Sequence, residues 1–210
     1  LDEPFYAYYL THSTTNITHP GTEAILASQP QTIKEVLKQI NTLNTNSNVF
    51  VKGMAHHILM ENPDFLKEWH NIILIRHPKD LLISFSKVIS NPSLDDIGLK
   101  KAFELFQYLK SHGHSPLVIE SNELLKNPKK YLKKICDALG ILFSPKMLHW
   151  EKGGSKYDGV WASYWYQNVH HSTGFIPHKS THKTFPKHLN NVLEQALPYY
   201  EQLQPHILKN

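Results

Sequence analysis

Apolar residues recur along this chain in two rhythms. Short runs at Val49-Phe-Val51, Ile72-Ile-Leu-Ile75 and Pro116-Leu-Val-Ile119 each end at a polar break, which predicts strands, with 72–75 buried on both faces. Elsewhere the apolar positions fall three and four residues apart. Ile33, Val36, Leu37 and Ile40 form one such set, Leu81, Leu82, Phe85 and Val88 a second, Leu99, Phe103, Phe106 and Leu109 a third, and Tyr131, Leu132, Ile135 and Leu139 a fourth. Each predicts a helix. Thr32 suits an N-cap, Pro78 a first helical position, and Gly140 a helix end. Thr22 to Ser28 and a piece opening at Asn62-Pro-Asp64 predict short helices, the latter turning Phe65, Leu66 and Trp69 inward. Thr184 to Ile207 predicts a last helix with Pro198 as a point of interruption. Residues 11 to 32 are otherwise loop-like in composition, and Asn41 to Asn48 reads as a linker.

Strands alternating with helices predict an α/β fold, a three-layer α/β/α arrangement around a central parallel sheet. The 210 residues suit a single domain, 1–210, with an aromatic-rich segment at 146–182. No apolar run approaches the roughly 20 residues of a membrane span. Cys136 stands alone, so no intrachain disulfide or cysteine metal cluster can form, and a reducing, cytoplasmic compartment is expected. The net charge of +4 is spread along the chain. That suits an anionic small-molecule ligand and falls short of the clustered charge of a nucleic-acid binder. Of the 15 histidines most read as solvated, His12, His19 and His70 among them. The pairs His56-His57 and His170-His171 lack the spacing of a helical zinc site.

Candidate chemistry gathers at the strand ends. Arg76 follows the strand 72–75 where Pro78 opens a helix, and free N–H groups at that helix start would add to its pull on an anion. Ser84, eight residues on, lies in the second turn of the same helix. Lys52 ends the strand 49–51, with His56 and His57 just beyond it. Asp2 and Glu3 lie at the end of another extended segment, where a carboxylate either accepts a proton or bonds nearby backbone N–H groups.

The run Ile-Arg76-His-Pro78-Lys-Asp80 with Ser84 resembles the 3′-phosphate-binding segment of the P-loop sulfotransferase superfamily. Glu120-Ser-Asn-Glu-Leu-Leu-Lys-Asn-Pro128, continuing to Leu139-Gly140, resembles the run after that family's last core strand. The resemblance implies a P-loop NTPase-like fold and transfer of a sulfonate from 3′-phosphoadenosine 5′-phosphosulfate (PAPS) to an acceptor hydroxyl or amine on a small molecule, leaving adenosine 3′,5′-bisphosphate. It implies 3′-phosphate binding by Arg76 and Ser84 and a charge-stabilising role for Lys52. The base is Glu3, His56 or His57, since the family's histidine position two after the lysine holds Met54. No G-x-x-x-x-G-K-[ST] loop occurs, and the opening Leu1-Asp-Glu-Pro resembles a segment that follows that loop in the family, so a fragment is expected. The family's closing R-K-G-x-x-G pattern is also missing. Gly159 to Tyr166 and His171 to Phe175 instead resemble a mostly bacterial branch, and the aromatics there either stack an adenine, line an acceptor pocket or pack the core. The alternative reading is a nucleotide-binding or interaction module of the same fold without catalysis. A P-loop kinase would need a Walker lysine and a magnesium ligand that the sequence does not display.

Overall fold

The computed structural model describes residues 1–14, 18–45, 47–177 and 184–209. Residues 15–17 of the expected loop, Asn46 of the linker and 178–182 of the aromatic-rich segment lie outside them. The expected helical piece near Asn62 is a short 3-10 helix, Asp64–Glu68, and in chain order the described α-helices and strands are α1 (Tyr6–His12), α2 (Thr22–Ser28), α3 (Ile33–Asn44), β1 (Ile72–Ile75), α4 (Pro78–Phe85) and α5 (Leu99–Ser111). Then come β2 (Leu117–Glu120), α6 (Ser121–Lys126), α7 (Pro128–Ala138), α8 (Ala162–Trp165), α9 (Gln167–His170) and α10 (Asn190–Leu203). Packing divides them into two compact units, one of residues 1–61 with 153–171, the other of 62–152 with 172–210.

In the first unit, α1 and α2 close on a core of Tyr6, Tyr9, Ile25 and Trp161. Its local structure follows sequence cues. The Thr32 hydroxyl accepts the Glu35 N–H and donates to the Glu35 carboxylate, so α3 starts where expected. Gly21 precedes α2 at φ +75°, and a Cβ there would come within 2.8 Å of the Tyr164 ring. The turn conformation and the close approach both require glycine. Three expectations are corrected. Helix α3 runs to Asn44, into the expected linker, because Val36 and Ile40 anchor it and the Asn/Thr turn beyond remains helical. Thr11 and His12 belong to α1 rather than a loop. Val49–Val51 is not a strand: the extended chain there meets residues 1–3 in a single parallel bridge, Asp2 to Lys52, with Phe50 73% exposed. One bridge with few backbone bonds is too short a ladder to make a strand.

The second unit holds the sheet of the described residues, a two-stranded parallel pair running from Ile72 opposite Leu117 to Ile75 opposite Glu120. Helices α4 and α5 make the long crossover that a parallel pair needs. Ile75, Leu82, Phe106, Val118 and Leu203 share the main core, while Ile72 and Ile119 face a smaller cluster with Tyr131 and Ile135. The strand β1 is therefore covered on both faces only in part. Successive side chains alternate, and Leu74, on the face of Ile72, stays 63% exposed. Helix α4 ends at Phe85, short of Val88, which is 37% exposed and gains no burial from a further turn. Helix α10 runs unbroken through Pro198, held in the core by Ala196, Tyr200 and Leu203. No helix of the described residues is long and apolar enough to cross a membrane.

Candidate active site

Glu3 enters the site on a strained backbone: among the described residues it is the non-glycine with positive φ, at 37°. Residues in such sparsely populated conformations persist where surrounding structure fixes them. Two things fix Glu3. Its N–H bonds the Lys52 carbonyl at 2.7 Å, and its carbonyl accepts from the Gln29 side chain at 3.0 Å. The bridge that replaces the expected strand thus sets Asp2 and Glu3 beside Lys52, and the ammonium of Lys52 bonds Glu3 Oε1 directly. Asp2 Oδ1 lies 3.5 Å from the same ammonium. The Glu3 side chain keeps 7% of its surface and that of Lys52 40%, so the pair opens to solvent on the lysine side. Burial holds the Glu3 carboxyl above its ordinary value of 4.5, with Lys52 pulling the other way and Asp2 adding to the rise. A carboxylate raised in this way is a stronger proton acceptor than a free one.

His57 Nδ1 stands 4.0 Å from Glu3 Oε2, outside hydrogen-bond range. Its ring is stacked against Tyr6 and Tyr9, with centroids at 4.6 and 4.9 Å. His56 meets Tyr9 edge-on at 5.2 Å. Burial pushes His56 down to about 3 and His57 well below 6.5, so both rings are neutral and weakly basic. His19, expected on the surface, is 4% exposed, with its Nδ1 2.8 Å from the Tyr6 hydroxyl. The Tyr6 and Tyr9 rings that meet it edge-on and the Tyr6 hydroxyl explain the difference: a polar side chain costs less to bury where a buried partner bonds it. Among the described residues no three His, Cys, Asp or Glu side chains are placed to hold a metal ion.

Tyr166 completes this cluster from the aromatic segment, its hydroxyl 3.0 Å from Glu3 Oε1 and 2.8 Å from Asp2 Oδ1. Trp161 is 2% exposed and packs edge-on against Tyr6, which makes it core rather than a stacking platform. The aromatic segment was legible as a candidate lining, but nothing in its local pattern marks Tyr166 as the partner of Glu3, which lies 163 residues away.

In the second unit, Arg76 follows the carboxyl end of β1, half-buried, and forms no ion pair or side-chain hydrogen bond among the described residues. Ser84 is in the last turn of α4, also half-buried. The expected free N–H groups at the start of α4 are instead used within the turn. Pro78 has none, Lys79 donates to His77 Nδ1 at 3.3 Å, and Asp80 and Leu81 both donate to the His77 carbonyl at 3.0 Å. An anion here is left to side chains, Arg76 first.

The chain is similar along 209 residues to branched-chain-amino-acid aminotransferase-like proteins 1 and 2 of Arabidopsis thaliana, at 34% identity to each. The match takes in 99% of this chain and 37% of either relative, so the chain spans little more than a third of their length. No solved structure matches it. The sulfotransferase domain family matches residues 1–206, a span that takes in both units with the acid–lysine cluster and the Arg76 strand end. The chain belongs to the sulfotransferase domain family.

Proposed function

We propose that this domain transfers a sulfonate group from PAPS to a hydroxyl or amine of a small-molecule acceptor. The observation that carries the reading is the buried Glu3 carboxylate, raised in basicity and bonded to a lysine that reaches solvent. When bound, PAPS supplies the activated sulfonate. Arg76, without an acidic partner among the described residues, receives the 3′-phosphate with the Ser84 hydroxyl as a second contact. Lys52 balances the charge that develops at the transferring group. Glu3 takes the acceptor's proton, a role for which the two buried histidines are less suited, being held far below neutral pH. The parallel pair β1–β2 belongs, on this reading, to a three-layer P-loop-type sheet, and residues 1–210 act as a single functional domain.

One observation favours a non-catalytic binding module instead. Lys52 is already engaged by Glu3, Asp2 and Tyr166, as a purely structural ion pair would be. Calorimetric titration of the native full-length protein with adenosine 3′,5′-bisphosphate, beside Arg76→Ala, tests the nucleotide site. The expected result is binding that weakens by about 2–4 kcal/mol in the variant. Equal binding in both removes Arg76 from the site. Binding without sulfonate transfer to any hydroxyl or amine acceptor points to the module.

A further inference from the structure

Three charged side chains of the first unit, Asp2, Glu3 and Lys52, meet at one phenol. Around the Tyr166 hydroxyl lie Asp2 Oδ1 and Oδ2 at 2.8 and 3.0 Å, Glu3 Oε1 at 3.0 Å and the Trp161 Nε1 at 3.1 Å, with the Lys52 ammonium also bonded to it. Lys52 lies 4.6 Å from the ring centroid as well. The indole N–H and the ammonium can only donate, so they take the oxygen's lone pairs. The phenol then has one proton to give. It has two carboxylates to give it to, and a single ammonium between them. His57, 4.0 Å from Glu3, is neutral and offsets neither charge, and His170 meets the Tyr166 ring edge-on at 6.1 Å.

We propose that Tyr166 is a positioning residue of this site, its hydroxyl proton bridging Asp2 and Glu3 so that Glu3 stays ionised and aimed when Lys52 turns towards an anionic ligand. The catalytic half of that statement rests on the reading of Glu3 as the base. The physical need is plain. A buried carboxylate that loses its only cation is destabilised unless another donor holds it, and Tyr166 is the donor that does not move with the lysine. Its place is fixed by core packing, since it closes α8, opens α9 and bonds the buried Trp161.

Two variants in the native full-length protein test this, with the Glu3 carboxyl carbon followed by NMR titration. Tyr166→Phe keeps the ring and its contact with Lys52 and removes only the hydroxyl. The Glu3 midpoint should rise by about one pH unit, the scale of one lost charge-assisted hydrogen bond. Asp2→Asn removes the like charge and keeps an acceptor for the Gly159 N–H, 3.0 Å away, so the midpoint should fall. Opposite shifts are the signature of the bridge, since general loosening of the site would move both variants alike. A midpoint that stays put in both, or moves the same way in both, overturns the proposal. If Tyr166→Phe does not fold, 3-fluorotyrosine placed at position 166 decides instead: its more acidic hydroxyl is a stronger donor and should lower the Glu3 midpoint, and a midpoint that stays put overturns the proposal. The two readings also fail separately. The expected shifts in a protein that transfers no sulfonate leave the positioning role standing and remove the transferase. An active transferase whose acid limb in kcat/KM is the same in wild type and Tyr166→Phe does the reverse.

Discussion

His56 and His57 make the stability of this protein fall on mild acidification. Burial holds His56 at about 3 and His57 well below its ordinary 6.5. Above pH 7 these rings are neutral in the folded and the unfolded chain, and they contribute no pH dependence. Below 6.5 the unfolded chain takes up protons that the folded chain refuses, so stability drops by up to ~1.4 kcal/mol per pH unit for each ring. Glu3 has the opposite sign. Its raised carboxyl binds a proton first in the folded chain, which adds stability as pH falls through the window above 4.5 and offsets part of the loss. Urea unfolding at pH 7.5 and 5.5 should therefore show a loss of about 1.4 kcal/mol per ring, and His56→Phe should remove one ring's share. An unchanged stability across that interval would contradict the burial of both rings. For the chemistry, Glu3→Gln should lower kcat by about 10²–10⁴ and leave bisphosphate binding intact, which single-turnover kinetics and calorimetry separate.

At the scale of elements, capping residues were the most legible part of the sequence, while α3 and α4 end elsewhere than their apolar spacing suggests. Thr32 caps α3 as read, Asn127 caps α7 ahead of Pro128, and Gly140 follows α7 at φ +66°. Each is a local matter of one side chain or one backbone angle, and so is visible in a short window. Thr32→Ala should cost about 1 kcal/mol, measurable as a shift in the urea midpoint with an unchanged slope. What a window cannot show is the partner. Ile72–Ile75 and Val49–Val51 have the same apolar character, yet the first pairs along four residues with β2 and the second meets residues 1–3 in one bridge. Arg76 was legible as a cation at a strand end. The closing of the α4 start by the His77 side chain and carbonyl was not, because it depends on the turn geometry.

For the whole molecule, each unit is assembled from two separated stretches, 1–61 with 153–171 and 62–152 with 172–210. Long-range packing therefore carries the stability of each. Leu203, fully buried in the second unit against residues of β1, α4 and α5, should cost about 2–5 kcal/mol when replaced by alanine. Thermal unfolding of Leu203→Ala checks this, and a loss under 1 kcal/mol would mean that α10 is not part of that core. The sequence by itself determined that α2, α3, α4, α5, α7 and α10 are helical, the two paired strands, Arg76 beside the Pro78 helix start, and the family, since these rest on propensity and on residues close together in the chain. Only the tertiary structure decided that Glu3, Lys52 and Tyr166 share hydrogen bonds, that three histidines are buried and that Trp161 is core. Those facts depend on which distant segments exclude water from one another, and hydrophobic burial is non-directional: it specifies that a surface is covered and leaves the covering segment to the fold.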